Sequence, residues 1–513
     1  MKKQINRGFT VLIVLMALFA LLPAPSLFAG SGAQASSDRG AYLAGLGRVI
    51  PADEIHIESY IAHSDFNYPF PQSEAVGVVT AAGFNGEALY LVAGLRGSRV
   101  DFAYLPPMNL SFVIDISGSM AAQDKMDWVR ESLLIFLDRV RPIDYVSLVV
   151  FDSSAELLIE PVQINNSTEM ERWQRVVRSL RPRGGTNIYA GMEMGFAQVE
   201  LNFRPDYNNR VILLSDGVDG SGKSRKEFLD MAEYYNDRNI NISTISLGAD
   251  ADINLMVDIA IQGGGSSRFI SDRVVMEQTF GSELDRLIVA AARDLQMEIV
   301  LANGIGFADT WGYSHWTNGS TIHYSLDTLH NGDYETLVVE AYPGIAIPPG
   351  TVLGNFFITY TDTQGQNHRH GPLPIVMEQE AGPLMTNPIA REAEGYIATG
   401  RGLIEIANLA PPLTAMQQEF NRLRDETFAA TRADLEPGTT ISDLPDSPEM
   451  ADLRGRILDE LLAIIIIVES LSTHLNNIND SLVSDRYDGE FRILDSYRTS
   501  FTRSWDAYIL PEF

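Results

Sequence analysis

The chain has 513 residues, too many for a single hydrophobic core, and this length favours about three domains. A net charge of −29 disfavours nucleic acid and anionic membranes as partners, because the long-range electrostatic field repels both. The chain has no cysteine, so disulfide bonds, thiol nucleophiles and cysteine-based zinc sites are excluded.

The N-terminal stretch has the pattern of an export signal. A basic head is followed by the apolar run Phe9–Leu22 and then by prolines and small residues. The run is shorter than the roughly 20 residues that span a bilayer. We expect a signal peptide at residues 1–35, cleaved after Ala29 or Ala35, with an uncleaved anchor as the competing interpretation. No later run is long enough to cross a membrane, so a periplasmic or extracellular mature chain is expected.

The next segment, residues 36–108, leads into a long alternating region. Glu87–Tyr104 alternates between apolar and polar residues, which predicts either one strand or two strands joined at Gly97 in a hairpin. From 109 to 294, strand-like and helix-like patterns alternate. This predicts a doubly wound, mainly parallel α/β sheet with helices on both faces. A helix over 273–294 is expected to end this domain.

Individual elements of this region have clear patterns. Apolar residues recur at helical spacing over Asp124–Val140, which predicts an amphipathic helix. Tyr145–Phe151 is continuously apolar, as expected of a strand buried on both faces. Leu157–Ile164 contains Pro161, which favours a position at the edge of the sheet.

Three short motifs in the same region carry oxygen-bearing side chains. The apolar strand that begins at Leu110 ends in Asp115, which is followed by two serines separated by one glycine. A threonine follows a glycine pair, and a second apolar strand ends at Asp216. Ligands of open α/β sheets gather beyond the carboxyl ends of the strands, so these motifs are expected to meet there. Oxygen ligands suit Mg²⁺, Mn²⁺ or Ca²⁺ and suit Zn²⁺ or Cu²⁺ poorly.

Together the three motifs resemble the von Willebrand factor type A (VWA) family. Ile50–Glu58 and Tyr68–Pro71 are similar to the lead-in of secreted bacterial members. The resemblance implies a metal-ion-dependent adhesion site. It implies direct coordination by the serines and the threonine, contact through water by the aspartates, and an open position for a Glu or Asp carboxylate of a protein partner. The expected ion is Mg²⁺, with Mn²⁺ or Ca²⁺ as alternatives. The matched metal-ligating positions are Asp115, Ser117, Ser119, Thr186 and Asp216.

The sequence pattern changes twice after this region. Residues 295–382 begin with a period-two alternation, which predicts a small antiparallel β-sandwich that strands of the N-terminal segment could join. His368 and His370 are expected in a loop of this sandwich. Residues 383–513 are expected to form a helical bundle, because side chains that can cap a helix are followed by proline at two positions. Its helices are expected near 388–408, 412–430, 448–477 and 487–506.

The sequence lacks the common enzyme signatures. It contains no His-Glu-x-x-His, Gly-x-Ser-x-Gly or Walker motif. Neutral hydroxyl ligands would leave the ion a net positive charge, which favours capture of an external carboxylate over catalysis. The sequence therefore predicts an exported, non-enzymatic protein that binds a protein partner through a divalent cation. The alternatives are an assembly or chaperone-like subunit of an envelope complex and a metal-dependent hydrolase.

Overall fold

The computed structural model describes residues 34–46, 48–57, 61, 66–99, 106–280, 290–311, 315–378, 385–431, 446–478 and 487–508. Residues 1–33, which are nearly all of the expected export signal, lie outside the described residues, and the signal stays a prediction. In the described part of the chain, no helix has both the length and the apolar character needed to cross a membrane.

The described elements are numbered in chain order. The strands are β1 (Val76–Phe84), β2 (Leu89–Gly97), β3 (Met108–Asp115), β4 (Tyr145–Phe151), β5 (Ala155–Gln163), β6 (Asn208–Ser215), β7 (Ile240–Leu247), β8 (Ser267–Ile270), β9 (Ala290–Leu301), β10 (Ile305–Trp311), β11 (His315–Asn318), β12 (Thr321–His330), β13 (Tyr334–Pro343), β14 (Val352–Asp362) and β15 (Asn367–Val376). The helices are α1 (Gln34–Gly45), α2 (Lys125–Leu137), α3 (Ser167–Ser179), α4 (Ile188–Leu201), α5 (Arg225–Asn236), α6 (Ile253–Gln262), α7 (Arg273–Gln278), α8 (Pro388–Thr431), α9 (Pro448–Ile478) and α10 (Asp488–Tyr508).

A six-stranded sheet forms the α/β part of the chain, with the strand order β5-β4-β3-β6-β7-β8. Every neighbouring pair is parallel except β4 and β5, and β5 lies at the edge. One apolar cluster joins the sheet to α2 and α3, and another joins its opposite face to α4, α5 and α6. The doubly wound α/β fold is therefore confirmed. The edge position of β5 suits Pro161, which cannot donate a ladder hydrogen bond.

Two antiparallel sheets pack face to face beside this α/β sheet. One has the order β1-β2-β13-β10 and the other β11-β12-β9-β14-β15. Apolar side chains from both sheets form one shared core. β2 precedes the α/β sheet in sequence and β13 follows it, yet the two strands pair, with Val92 opposite Val338. The sandwich is thus completed by strands from both sides of the α/β region.

The N-terminal hairpin lies earlier in the chain than the hairpin considered from the sequence. The run from residue 87 contains one strand, β2, which ends at Gly97, and β2 is joined to β1 by a turn at residues 85–88. The side chain of Asn85 accepts hydrogen bonds from two backbone N–H groups of the turn, at 3.0 and 2.9 Å. Gly86 has a φ of 98°, which suits glycine. Both features stabilise a tight turn at this position.

Two further sequence predictions are wrong in the sandwich region. The helix expected over 273–294 begins as α7 and helical backbone continues to Phe280, but the prediction is wrong from Ala290 onwards, where β9 begins; residues 281–289 lie outside the described residues. β9 pairs with β12 from Ala290 and with β14 from Ala292, so the first residues of this strand are held by neighbouring strands. These long-range hydrogen bonds override the local helical spacing of the sequence. His368 and His370 lie in β15 and not in a loop, and Nε2 of His368 lies 2.7 Å from a carboxylate oxygen of Asp362.

The C-terminal helices pack together, and the expected helical domain is confirmed. However, α8 is a single helix, although two helices were predicted to meet near Pro411 and Pro412. Proline removes a backbone donor and normally breaks or kinks a helix. Here Ile406 before the prolines and Leu413 after them are both buried in one apolar cluster with α9 and α10. Burial on both sides of the prolines therefore favours a continuous helix.

Candidate metal centre

Two carboxylates lie side by side at the carboxyl edge of the α/β sheet. β3 ends at Asp115, and Asp216 directly follows β6, the parallel neighbour of β3. Both residues have no exposed surface. The structure therefore places at one edge two residues that are separated by 101 positions (216 − 115) in the sequence.

The loop after β3 folds back onto the first of these carboxylates. The backbone N–H of Ser117 donates to Oδ1 of Asp115 over 2.7 Å. Oγ of Ser215 donates to Oδ2 of Asp115 over 2.6 Å. The hydroxyl oxygens of Ser117 and Ser119 lie 3.0 Å apart. Asp115 thus fixes the serine loop, and both of its oxygens accept hydrogen bonds from the protein.

Asp216 is held from two directions. Oγ of Ser119 donates to its Oδ1 over 2.6 Å, and Nζ of Lys125 donates to its Oδ2 over 2.7 Å. The Lys125 side chain, at the start of α2, is only 4% exposed. Sequence reasoning missed this lysine, because its partner lies 91 residues away and the helical pattern does not separate it from a solvated lysine. It also gave Ser215 no role, although this residue binds the site's other carboxylate.

Thr186 approaches the same edge on the loop between α3 and α4. The backbone N–H of Gly220 donates to the Thr186 carbonyl over 2.7 Å. A Cβ atom placed on Gly217 would lie 3.3 Å from Oγ1 of Thr186 and 3.8 Å from Oγ of Ser119. The hydroxyls of Thr186 and Ser119 therefore both lie next to Gly217, the residue that follows Asp216. All the metal-ligating positions expected from the sequence gather at this edge.

The glycine pair before Thr186 is required by the path of the loop. Gly184 has a φ of 70°, in the left-handed region that favours glycine, and a Cβ atom there would lie 3.1 Å from the Asp152 side chain. Its carbonyl accepts a hydrogen bond from the N–H of Gly118, at 3.2 Å. The N–H of Gly185 donates to Oγ of Ser153 over 2.9 Å. These bonds tie the threonine loop to the serine loop and to the end of β4.

The two carboxylates differ in their electrostatic environment. Burial raises the pKa of Asp115 to about 6, and hydrogen bonds from Ser117 and Ser215 oppose part of this rise. Asp216 instead has the ammonium group of Lys125 as a counter-charge. A buried carboxylate without a counter-charge is unfavourable. The uncompensated negative charge of the site therefore lies on Asp115.

This donor set fits a hard divalent cation. All of the candidate ligand atoms are oxygens, which suit Mg²⁺, Mn²⁺ or Ca²⁺. Both oxygens of each aspartate already accept hydrogen bonds, whereas Ser117, Ser119 and Thr186 contribute hydroxyl oxygens that could coordinate directly. Within the described ranges, no three His, Asp or Glu side chains cluster as metal ligands. A hydroxyl-rich site is thus the metal centre that these side chains could form.

Comparisons with known proteins agree with this fold. Residues 110–218 match the family model described as von Willebrand factor type A domain. The chain is 25% identical over 197 residues to the uncharacterized protein YfbK of Escherichia coli (strain K12), covering 38% of this chain and 34% of that protein. It is 25% identical over 284 residues to the uncharacterized protein sll0103 of Synechocystis, covering 53% and 66%, respectively.

A third relative is the human inter-alpha-trypsin inhibitor heavy chain H3. It is 28% identical over 229 residues, which cover 42% of this chain and 25% of the relative. The chain thus spans between a quarter and two thirds of the length of these three relatives.

A solved structure titled von Willebrand factor type A from Catenulispora acidiphila is 15% identical to the chain. It covers 80% of this chain and 92% of its own, with a TM-score of 0.46. The mussel byssus protein PTMP1, whose title describes a zinc-occupied MIDAS motif, is 20% identical with a TM-score of 0.29, covering 34% of this chain and 45% of its own. Residues 110–218 match the VWA domain model and lie within the doubly wound sheet, so this part of the chain is a VWA-type domain.

Proposed function

We propose that the VWA domain binds a partner protein through a divalent cation held by Asp115, Ser117, Ser119, Thr186 and Asp216. The observation that carries the proposal is the convergence of these oxygen-bearing side chains at one sheet edge, with Ser119 bonded to both Ser117 and Asp216. VWA domains are protein-interaction and adhesion modules. The proposal extends this general role to one site and one mode of binding.

The residues of the site would have two different roles in ion binding. Ser117, Ser119 and Thr186 would coordinate through their hydroxyl oxygens, and the two aspartates would orient these hydroxyls and bound water. The proposed ion is Mg²⁺, with Mn²⁺ or Ca²⁺ as substitutes, because the donors are hard oxygens. When bound, the ion supplies a positive charge that accepts a Glu or Asp carboxylate of the partner.

Binding is favoured over catalysis at this site. A metal-dependent hydrolase needs a group positioned to take a proton from the attacking water. Asp115 and Asp216 are both buried and have both oxygens engaged by neighbouring protein groups. Carboxylates held in this way can orient the metal-ligating hydroxyls but are poorly placed to take a proton from water. We therefore propose a non-enzymatic role.

The place of action follows from the sequence pattern. We propose that the chain is exported and works in the periplasm or at the cell surface, where a partner of the cell envelope or of another cell would present its acidic side chain. A role as an assembly or chaperone-like subunit of an envelope complex would use the same site and differs only in the identity of the partner.

A capture experiment tests the proposed function. Immobilised chain is incubated with an envelope extract in Mg²⁺ or in excess EDTA, and bound proteins are identified by mass spectrometry. The wild-type chain is expected to retain a partner only in Mg²⁺, and Asp115→Ala and Thr186→Ala are expected to lose it. Thr317→Ala, on exposed β11, is the matched control and should retain the partner.

The same experiment can contradict the proposal. Capture that persists in EDTA and in both site variants would mean that the partner is held by another surface. Circular dichroism of each variant shows whether its fold is intact, so that a loss of capture can be assigned to the site.

A further inference from the structure

A cluster of basic side chains, three of them buried and Arg293 partly exposed, lies where the start of the VWA sheet meets the sandwich. It consists of Arg210 in β6, Arg268 in β8, Arg293 in β9 and His330 at the end of β12, and we call it the basic cluster. Arg210 is 0% exposed, Arg268 6% and His330 1%. From Arg210 to Asp216 the chain advances six residues, or about 20 Å for an extended strand. Arg210 is therefore far from the candidate metal centre.

Several polar atoms of the basic cluster have no hydrogen-bond partner among the described residues, although Nη1 of Arg293 donates to Oδ1 of Asn239 over 3.4 Å. Nη1 of Arg210 donates to Oγ of Ser243 over 2.8 Å, but its Nε and Nη2 have no partner. Nε of Arg268 and both ring nitrogens of His330 also have none. The arginine nitrogens are strong donors, and the neutral imidazole of His330 has one further N–H, in a position that excludes solvent. An unpaired buried donor costs about 1–3 kcal/mol, and more when it is charged.

Few carboxylates lie near the cluster among the described residues. Oδ1 of Asp333 is 4.0 Å from Nη2 of Arg268, the outer limit of an ion pair, and the charge of Asp294 opposes the lowering of the Arg293 pKa by burial. Burial and, to a smaller extent, the neighbouring charge of Arg293 together lower the pKa of Arg210 to about 9. Burial and the three arginines together lower the pKa of His330. Proteins normally pair such buried charges.

A bound water molecule would satisfy some of these donors but would leave the positive charge. An anion satisfies both, because its lone pairs accept from several N–H groups and its charge balances the guanidinium groups. The complete burial of Arg210 and His330 favours a small anion over an extended ligand. We propose that the basic cluster binds a small inorganic anion, which links the VWA sheet to the sandwich.

Halide substitution tests this proposal on the full-length purified chain. Thermal unfolding is measured at fixed ionic strength in sodium gluconate, whose anion is too large for the site, and in sodium bromide.

In a second experiment, crystals soaked in sodium bromide are used to collect anomalous diffraction data. We expect an anomalous peak within hydrogen-bonding distance of Arg210 and His330, and an unfolding midpoint about 2–4 °C higher in bromide. A sodium phosphate arm shows whether an oxyanion gives the same shift or only a halide does.

Variants separate the site from general salt effects. Arg210→Met is expected to lose the shift between gluconate and bromide, whereas Arg178→Met, on the exposed face of α3, is expected to keep it. If Arg210→Met does not fold, His330→Gln provides the same comparison. The proposal is overturned if no bromide occupies the basic cluster, or if the folded site variants keep the full wild-type shift.

Discussion

The residues around Asp115 and Asp216 set the charge that a cation would meet. Lys125 compensates Asp216, while Asp115 accepts hydrogen bonds but has no ammonium partner among the described residues. A divalent ion placed among the neutral hydroxyls would therefore keep much of its positive charge. This explains how a chain with a net charge of −29 could attract an acidic side chain, since the local charge would be that of the ion.

The pH dependence of ion binding follows from Asp115. Its pKa is about 6 in the metal-free chain, and a cation favours the ionised carboxylate. Protonation as the pH falls through 6 should therefore weaken the binding of Mn²⁺, by about tenfold per pH unit below this value. Isothermal titration calorimetry at pH 7.5 and pH 5 measures the change. Equal affinities at the two pH values would contradict the role given to this carboxylate.

Removal of Lys125 should expose the cost of an unpaired buried charge. Lys125→Met leaves Asp216 without its counter-charge, and breaking a buried ion pair costs about 3–5 kcal/mol. We expect the free energy of unfolding in EDTA to fall by about this amount, and Mg²⁺ to restore part of it. Chemical denaturation with each additive measures both effects.

Lys226→Met is the matched control for this prediction. Its salt bridge with Asp230 joins two largely exposed side chains, so a loss below about 1 kcal/mol is expected. A Lys125→Met chain as stable in EDTA as the wild type would show that this ion pair does not support the fold.

At the scale of elements, the contact between α4 and β3 supports the strand that ends in Asp115. A Cβ atom on Gly195 of α4 would lie 2.3 Å from Cγ2 of Val113 in β3. Gly195→Ala should therefore push the helix away from the strand and lower the free energy of unfolding by about 1–3 kcal/mol. Thermal or chemical denaturation measures the loss.

Gly455→Ala provides the comparison for this glycine. Gly455 also lies within a helix, α9, but a Cβ atom there meets nothing within 4 Å. Because alanine favours the helix more than glycine does, this variant should be more stable by about 0.5–1 kcal/mol. Similar effects from both substitutions would show that the close approach of α4 to β3 is unimportant.

The sequence predicts best where local pattern and long-range packing agree. β3, which ends at Asp115, and β6, which Asp216 follows, both have apolar residues at successive positions near their carboxyl ends because helices cover both faces of the sheet, and these ends share one edge. The sequence pattern does not predict the β1–β2 hairpin because β1 is rich in alanine and glycine, which are weak strand formers, although Asn85-Gly86 is a turn signal.

Where long-range contacts decide, the local pattern is misleading. Pro411 and Pro412 indicate a helix end, but the residues around them are held in one apolar core and α8 continues. Lys125 and Ser215 act at the site through partners 91 and 100 residues away. Neither pairing leaves a signal in the neighbouring sequence.

At the scale of the whole molecule, two separate segments of the chain form the sandwich, one before the VWA domain and one after it. β2 is an inner strand of its sheet, between β1 and β13, and supplies part of the shared core. Residues 290–378 alone would lack this strand and would leave the core uncovered. We therefore expect this fragment not to unfold cooperatively by circular dichroism unless residues 66–99 are co-expressed with it. Cooperative unfolding of 290–378 alone would show that the flanking strands are dispensable.

The central claim is that the oxygen-bearing side chains at the carboxyl edge of the VWA sheet hold a divalent ion. Anomalous diffraction from crystals of the full-length chain grown with Mn²⁺ tests this directly. The account predicts a single strong peak bordered by the hydroxyl oxygens of Ser117, Ser119 and Thr186, which disappears in Thr186→Ala. A well-ordered site without a peak, or a manganese ion bound only elsewhere on the chain, would contradict it.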